Sequence, residues 1–222
     1  MDSCRWDMFH HADAPHMKQF TKMKMVYSRA GITIPSLFGS FMNLSWYESN
    51  GAVLVPELKR WVWVPLELQK MGYHTVLVTS NPMLELYKAW FSRGFNEYIM
   101  LKGCTYHADN MTDIAIDRVQ KHPKTFVFLL FMETHQPYPN QRAHTAEYLN
   151  ANYRPITRQR RSIETIDKDF ARLTAELWGT DTDILIFSDH GDLDLRIEGH
   201  QGHGPAKFHD KLFEIPYGRK TI

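Results

Sequence analysis

The 222-residue chain is 43% hydrophobic and 13% aromatic, enough to bury one sizeable core, so a single domain over 1–222 is expected. Its 26 Lys and Arg nearly balance 25 Asp and Glu, which argues against a nucleic-acid partner or an electrostatic pull toward an acidic membrane surface. Two cysteines make neither a disulfide framework nor a zinc ribbon, no apolar run approaches the roughly 20 residues of a membrane span, and the amino end lacks the apolar centre of a signal peptide. The expected setting is therefore reducing and cytoplasmic, with the oligomeric state open.

In chain order, the first cluster of chemistry is Asp2-Ser3-Cys4-Arg5-Trp6-Asp7. Next, Thr33 stands before Pro35-Ser36 and a helical run, which suits a helix amino terminus and sets a hydroxyl where an anion binds well. A helix is predicted from Pro56 to Gly72 with a kink at Pro65, then a strand from His74 to Ser80 that ends in a polar Asn-Pro turn. Helical patterns follow over Met83–Gly94 and Met111–Pro123, and Thr125–Thr134 is a continuous apolar run. The basic stretch Arg154–Arg161 reads as a solvated helix start rather than a binding patch. Behind it, Ile163, Ile166, Phe170, Leu173 and Leu177 form one stripe that Gly179 closes. A second apolar run, Asp183–Asp189, stops abruptly at Ser-Asp-His-Gly-Asp.

Continuous apolar runs fit strands covered on both faces, and their alternation with helices predicts an α/β fold with a mostly parallel central sheet sandwiched by helices. Ligands bind at the carboxyl ends of such strands, where Glu133, Thr134 and His135 fall, and again Asp189 and His190. Together with residues 2–7, Thr33, His203 and Lys207, these side chains suit metal-assisted attack on a phosphate or sulfate ester. Carboxylates and an imidazole hold a divalent cation, a threonine supplies the nucleophile, and Arg, His and Lys cover ester oxygens and protonate the leaving group.

The motifs in this order resemble the sulfatase-like branch of the alkaline phosphatase superfamily, in its one-metal, threonine-nucleophile form. Asp2 to Asp7 is similar to the family's D-S-x-R-x-D, and Asp13-Ala14-Pro15-His16 to its D-T-P-N stretch before a helix. Thr33-Ile34-Pro35-Ser36 is similar to the nucleophile motif, and Gly72-Tyr73-His74-Thr75 to a strand entry. His135-Gln136-Pro137-Tyr138, Ser188 to Gly191, His203-Gly204 and a strand at Ile215-Pro216 complete the series.

The resemblance implies Asp2, Asp189 and His190 as ligands of one divalent metal, manganese or calcium favoured and zinc possible. It implies Thr33 as nucleophile, and His135 and His203 at the ester or its leaving group. Ser3, Arg5 and Lys207 are the expected substrate contacts, although Arg5 also suits a structural bridge to Asp7. The substrate class is a small-molecule or lipid-like ester.

Departures from the pattern sharpen the expectation. Formylglycine forms from Cys or Ser, not from Thr33, and Leu37 replaces the Arg of a true sulfatase, so phosphate ester hydrolysis is favoured over sulfate. Ala171 stands where a two-metal member has His, so Asp167 is expected to be structural. The resemblance also implies a first strand ahead of Asp2 and a carboxyl-terminal subdomain that this sequence does not contain, which leaves Asp2 expected to be poorly held. The alternatives are a catalytically silent scaffold, a phospho-alcohol transferase, or an unconventional sulfatase.

Overall fold

The computed structural model describes residues 1–20, 22–43, 62–102, 107–136, 138, 156–194, 196–200, 202–204 and 208–222. Six strands are described: β1 (Lys24–Tyr27), β2 (His74–Thr79), β3 (Glu97–Met100), β4 (Thr125–Leu130), β5 (Asp183–Phe187) and β6 (Glu214–Thr221). The helices are α1 (Trp6–His11), α2 (Pro15–Phe20), α3 (Thr33–Met42), α4 (Val64–Lys70), α5 (Pro82–Leu86), α6 (Lys88–Phe91), α7 (Ala108–Lys121), α8 (Gln159–Glu176) and α9 (Asp210–Phe213), with a 3₁₀ turn at Ile156–Arg158 leading into α8. Among the described residues no helix is long and apolar enough to cross a membrane.

The α/β class holds, and the sheet divides into two halves. One half is parallel, in the order β3-β2-β4. The other, β1-β6-β5, is antiparallel throughout, because α9 returns the chain directly into β6 without the long helical crossover that a parallel pairing needs.

In the parallel half, period-two alternation sends side chains to two cores. Leu77, Phe128 and Leu130 meet Ile34, Leu37, Phe38 and Phe41 of α3, while Val76, Val78, Val127 and Leu129 meet Met111 of α7. Here helices do cover both faces. A third cluster joins α1, α2 and α8 to Cys4 and Ile186.

Helix boundaries correct two expectations. Pro65 lies in the first turn of α4, where a missing N–H costs nothing, and does not kink a longer helix. Residues 56–61 of that expected helix lie outside the described residues. The pattern over Met83–Gly94 is two short helices that meet at Tyr87, and Gly94 is needed because a Cβ there would sit 2.3 Å from the Leu66 backbone nitrogen.

Residues 1–2 join the two halves. The Met1 amino group donates to Phe187 O (2.8 Å), Asp189 N donates to Met1 O (3.2 Å), and Asp2 N donates to Phe131 O (2.8 Å). The Met1 pattern is that of a parallel bridge beside β5. Below it, the facing edges of β4 and β5 enclose an apolar cavity of about 410 Å³, lined by residues 125–131 and 182–187 with Met1 among its walls. The cavity explains a burial pattern that the apolar runs did not predict. Only Phe128 and Leu130 of β4, and only Ile186 of β5, are fully buried.

Candidate active site

Asp2, Asp189 and His190 converge at the seam between the halves, and all three are buried. Their ligand-type atoms lie within 4.8 Å of one another. The expected weakness at Asp2 is overturned: besides the backbone bond to Phe131, Thr134 Oγ1 donates to Asp2 O (2.5 Å), Ser3 Oγ donates to Asp2 Oδ1 (2.8 Å), and Asn81 Nδ2 donates to Oδ2.

Asp189 Oδ1 accepts from Ser3 N (2.9 Å) and His190 N (2.8 Å), but Oδ2 is buried with no hydrogen-bond partner. An orphaned carboxylate oxygen facing a second carboxylate and an imidazole costs free energy unless a cation joins them. The donor set therefore fits a divalent metal ion.

Charge in the site follows from burial. Burial raises the Asp189 pKa to about 7, the nearby Asp2 adds to this, and the Met1 ammonium opposes it. Burial also works to raise the Asp2 pKa, but His135, His190, His203 and the Ser3 hydroxyl outweigh it, and the net direction is downward. His190 is shifted down by burial despite Asp2. Its Nδ1 lies 2.7 Å from Gly191 O, which fixes that nitrogen as the donor and leaves Nε2 with a lone pair. That Nε2 is 3.5 Å from Asp189 Oδ2, 3.8 Å from Asp2 Oδ1 and 3.1 Å from Thr33 Oγ1.

The glycine behind this pair has a steric reason. A Cβ on Gly191 would sit 1.9 Å from Lys211 O, because Gly191 N donates to Leu212 O (2.8 Å) across a close backbone crossing. Only glycine lets β5's continuation pass under α9 with His190 turned inward.

Thr33 opens α3, buried, with its hydroxyl 3.5 Å from Asp2 Oδ2. The free amides of that first turn give it a positive setting. Ser36 Oγ donates to Asp189 O and ties the helix to the Asp189-His190 segment.

His135 and His203 flank the cluster. The His203 ring is 4.4 Å from the His190 ring and 5.1 Å from that of His135. Burial alone would lower the His135 pKa, but Asp2, the Gln136 carbonyl, Asp192 and Asp189 reverse the direction to upward. His203 Nδ1 contacts Asp192 Oδ1 (3.3 Å), and Tyr138 OH donates to Asp192 Oδ2 (2.9 Å).

Two expected substrate contacts have other positions. Arg5 is 2% exposed, and its guanidinium bonds Asp7 (2.9 and 2.7 Å), Glu198 (2.9 Å) and Asp192 O (3.3 Å), so it is a structural bridge and not an ester ligand. Ser3 is buried at φ 59° and holds Asp2 and Asp189 in place instead of facing a substrate. Lys207 lies outside the described residues. Asp167 caps α2, accepting from Met17 N (2.7 Å) and His16 N (3.2 Å).

Sequence reasoning missed Asn81, Asp192 and Gln159. Asn81 carried a signal, a polar residue at the carboxyl end of the most apolar strand. Gln159 carried none: it lies in the basic helix start, yet is fully buried and bonds Arg5 N, Ser3 O and Thr134 O (3.0, 2.8 and 2.7 Å).

Comparison with known proteins accords with this geometry. No curated protein matches the chain in sequence. The C-terminal periplasmic domain of EcEptC from Escherichia coli superposes with a TM-score of 0.72 at 16% identity, over 99% of this chain and 70% of that one. The corresponding domain of phosphoethanolamine transferase EptC from Campylobacter jejuni gives 0.72 at 14%, over 99% and 76%. The lipoteichoic acid synthase LtaP from Listeria monocytogenes gives 0.64 at 11%, over 99% and 63%. At these identities the likeness establishes the fold. The Sulfatase family model matches residues 6–217, nearly the whole chain, and with it the chain belongs to the Sulfatase family.

Proposed function

We propose that this chain is a metal-dependent phosphoric ester hydrolase that uses Thr33 as its nucleophile. The observation that carries the reading is the buried, unpartnered Asp189 Oδ2 in a cluster with Asp2 and His190, with the Thr33 hydroxyl 3.1 Å from His190 Nε2. Asp2, Asp189 and His190 would hold one divalent cation. When bound, it would favour loss of the Thr33 hydroxyl proton to solvent and offset charge on the ester oxygens.

The chain's own residues supply the remaining chemistry. Thr33 Oγ1 attacks phosphorus as the bond to the leaving alcohol breaks, which gives a phosphothreonine. His203, protonated at Nε2 and held through Nδ1 by Asp192, gives its proton to the departing oxygen. His135, whose pKa is raised, donates to a non-bridging oxygen. The α3 amides add positive potential where the transferred group sits. Water then releases phosphate, with His203 taking up a proton. Phosphate is preferred to sulfate because Thr33 cannot form the formylglycine of ordinary sulfatases.

One specific observation favours a second reading. Two structural neighbours carry the words phosphoethanolamine transferase in their names, so an alcohol in place of water would make this chain a transferase to a lipid-like acceptor. Zinc joins manganese and calcium as a metal to test, since one E. coli EptC structure is a complex with Zn.

The test is turnover of aryl phosphate mono- and diesters and an aryl sulfate with each metal, followed by Thr33→Ala. Turnover should fall by about four orders of magnitude with metal content unchanged. A phosphorylated Thr33 peptide should be trapped from the parent by acid quench. Undiminished turnover in Thr33→Ala would sink the reading.

A further inference from the structure

At the other end of the parallel half lies a second group of metal-ligand side chains, supplied by three separate elements. His74 is the first residue of β2, Glu97 the first of β3, and His122 caps the carboxyl end of α7. Their ligand-type atoms also lie within 4.8 Å of one another. They stand at the amino-terminal edge of the sheet, a β2 length from Asp2, roughly 20 Å.

The ordinary reading is a solvated ion-pair network, and part of the cluster is one. Arg118 Nε and Nη2 bind both Glu97 oxygens at 2.8–2.9 Å, and His74 Nε2 lies 2.7 Å from Glu97 Oε1. These partners, the Arg118 hydrogen bonds first, hold the Glu97 pKa down at about 2, so the carboxylate stays charged.

His122 is what that network leaves unexplained. Its ring lies flat on His74, with centroids 3.7 Å apart and planes 16° apart, and it makes no hydrogen bond among those described. Its backbone is fixed on both sides, by its own N–H to Arg118 O (3.1 Å) and by Thr125 Oγ1, which donates to its carbonyl (2.6 Å). One nitrogen of the ring already lies within 4.8 Å of a ligand-type atom of His74 and of Glu97.

We propose that His74, Glu97 and His122 bind one zinc-class divalent ion at the amino-terminal edge of the parallel sheet, separate from the Asp2 site. Two imidazoles and one carboxylate, with water completing the shell, are a borderline-soft donor set that favours zinc, nickel or copper over manganese or calcium. The ion displaces the shared hydrogen between His74 and Glu97 Oε1, while Arg118 keeps Oε2 and fixes the carboxylate's angle. The guanidinium charge also weakens the site, so its affinity falls below that of the buried one. All three ligands are partly exposed, which gives the ion access from solvent. Bound there, it ties the starts of β2 and β3 to the end of α7.

The test is zinc titration of the purified full chain against a chromophoric chelator, with Zn²⁺ as the sole metal. The parent should bind two ions, and Asp189→Asn should keep only the weaker one. His122→Ala is the cleanest variant, because that ring makes no hydrogen bond to lose. It should weaken the second ion at least tenfold and leave ester turnover unchanged. Arg118→Gln should tighten the same ion by about tenfold, the reverse of what general disruption of the edge would do. X-ray absorption on zinc-loaded Asp189→Asn should report two imidazoles. Binding of the second ion with parent affinity in both His74→Ala and His122→Ala, or no second ion in the parent, would overturn the proposal. A failure of Thr33 chemistry would leave it untouched.

Discussion

The two halves of the sheet are built on different plans. In β3-β2-β4 the central strand is inaccessible from Thr75 to Thr79, sealed by α3 on one face and α7 on the other. In β1-β6-β5 the strands are short or half exposed, and β1 buries no side chain fully. The parallel half contributes supports and candidate reacting groups alike: Asn81 and Thr134 hold Asp2, His135 stands beside it, and Thr33 opens the helix that covers one of its faces. The less protected half carries Asp189 and His190. Each half thus supplies part of the site, which exists only while the two are locked together.

That comparison has a first and largest test in Asp189→Asn, which should lower metal affinity at least a hundredfold and abolish turnover, checked by elemental analysis and kinetics. Proton competition should be visible in the parent. With its pKa raised to about 7, Asp189 binds metal only after losing a proton, so affinity should fall by about tenfold per unit as pH drops below 7. Without metal the same shift acts on stability in a definite direction. The folded state holds the Asp189 proton more tightly than the unfolded state, so this contribution is complete below about pH 4 and disappears as pH rises through 7. Urea melts of metal-free Asp189→Asn should lack that component.

Gly191→Ala should unlock the antiparallel side. Its Cβ has no room beside Lys211 O, and the expected cost is about 3 kcal/mol in denaturant unfolding, with metal affinity falling in parallel. A normal melting curve would mean that the α9 crossing is not rigid. Gln159→Leu tests the lock itself, since that amide spans residues 3, 5 and 134. It should destabilise by about 2 kcal/mol and strand three backbone groups. The smallest effect is expected for Asp192→Asn. Turnover should drop about tenfold for poor leaving groups and little for good ones, because His203 loses its orienting charge. Equal slowing across a leaving-group series would remove His203 as the proton donor.

Much of this was legible because the chemistry is local. Asp189-His190 follow an apolar run and Thr33 precedes a helix, so strand and helix signals point to them directly. The bridge from Arg5 to Asp7 was legible, but the wider burial of Arg5 and Ser3 was not, because sequence gives no direction for a side chain. The guanidinium turns inward to Glu198, 193 positions away. Gln159 was invisible for a related reason: a polar residue in a basic helix start looks solvated until its neighbours are known. The antiparallel pairing of β5 escaped because an apolar run reveals burial and not the direction of its partner. Its two-sided burial was overestimated because the cavity beside it is a property of three dimensions.

That cavity has a practical consequence for the protein in solution. Along residues 125–130 and 183–187, two strand edges face it with no ladder partner among the described residues. Such edges recruit strands from neighbouring molecules. Met1, which precedes the candidate ligand Asp2, is among the residues that line that opening. Loosening residues 1–2 would free Asp2 from Phe131 and Met1 from Phe187, so loss of metal affinity and separation of the two halves should begin together.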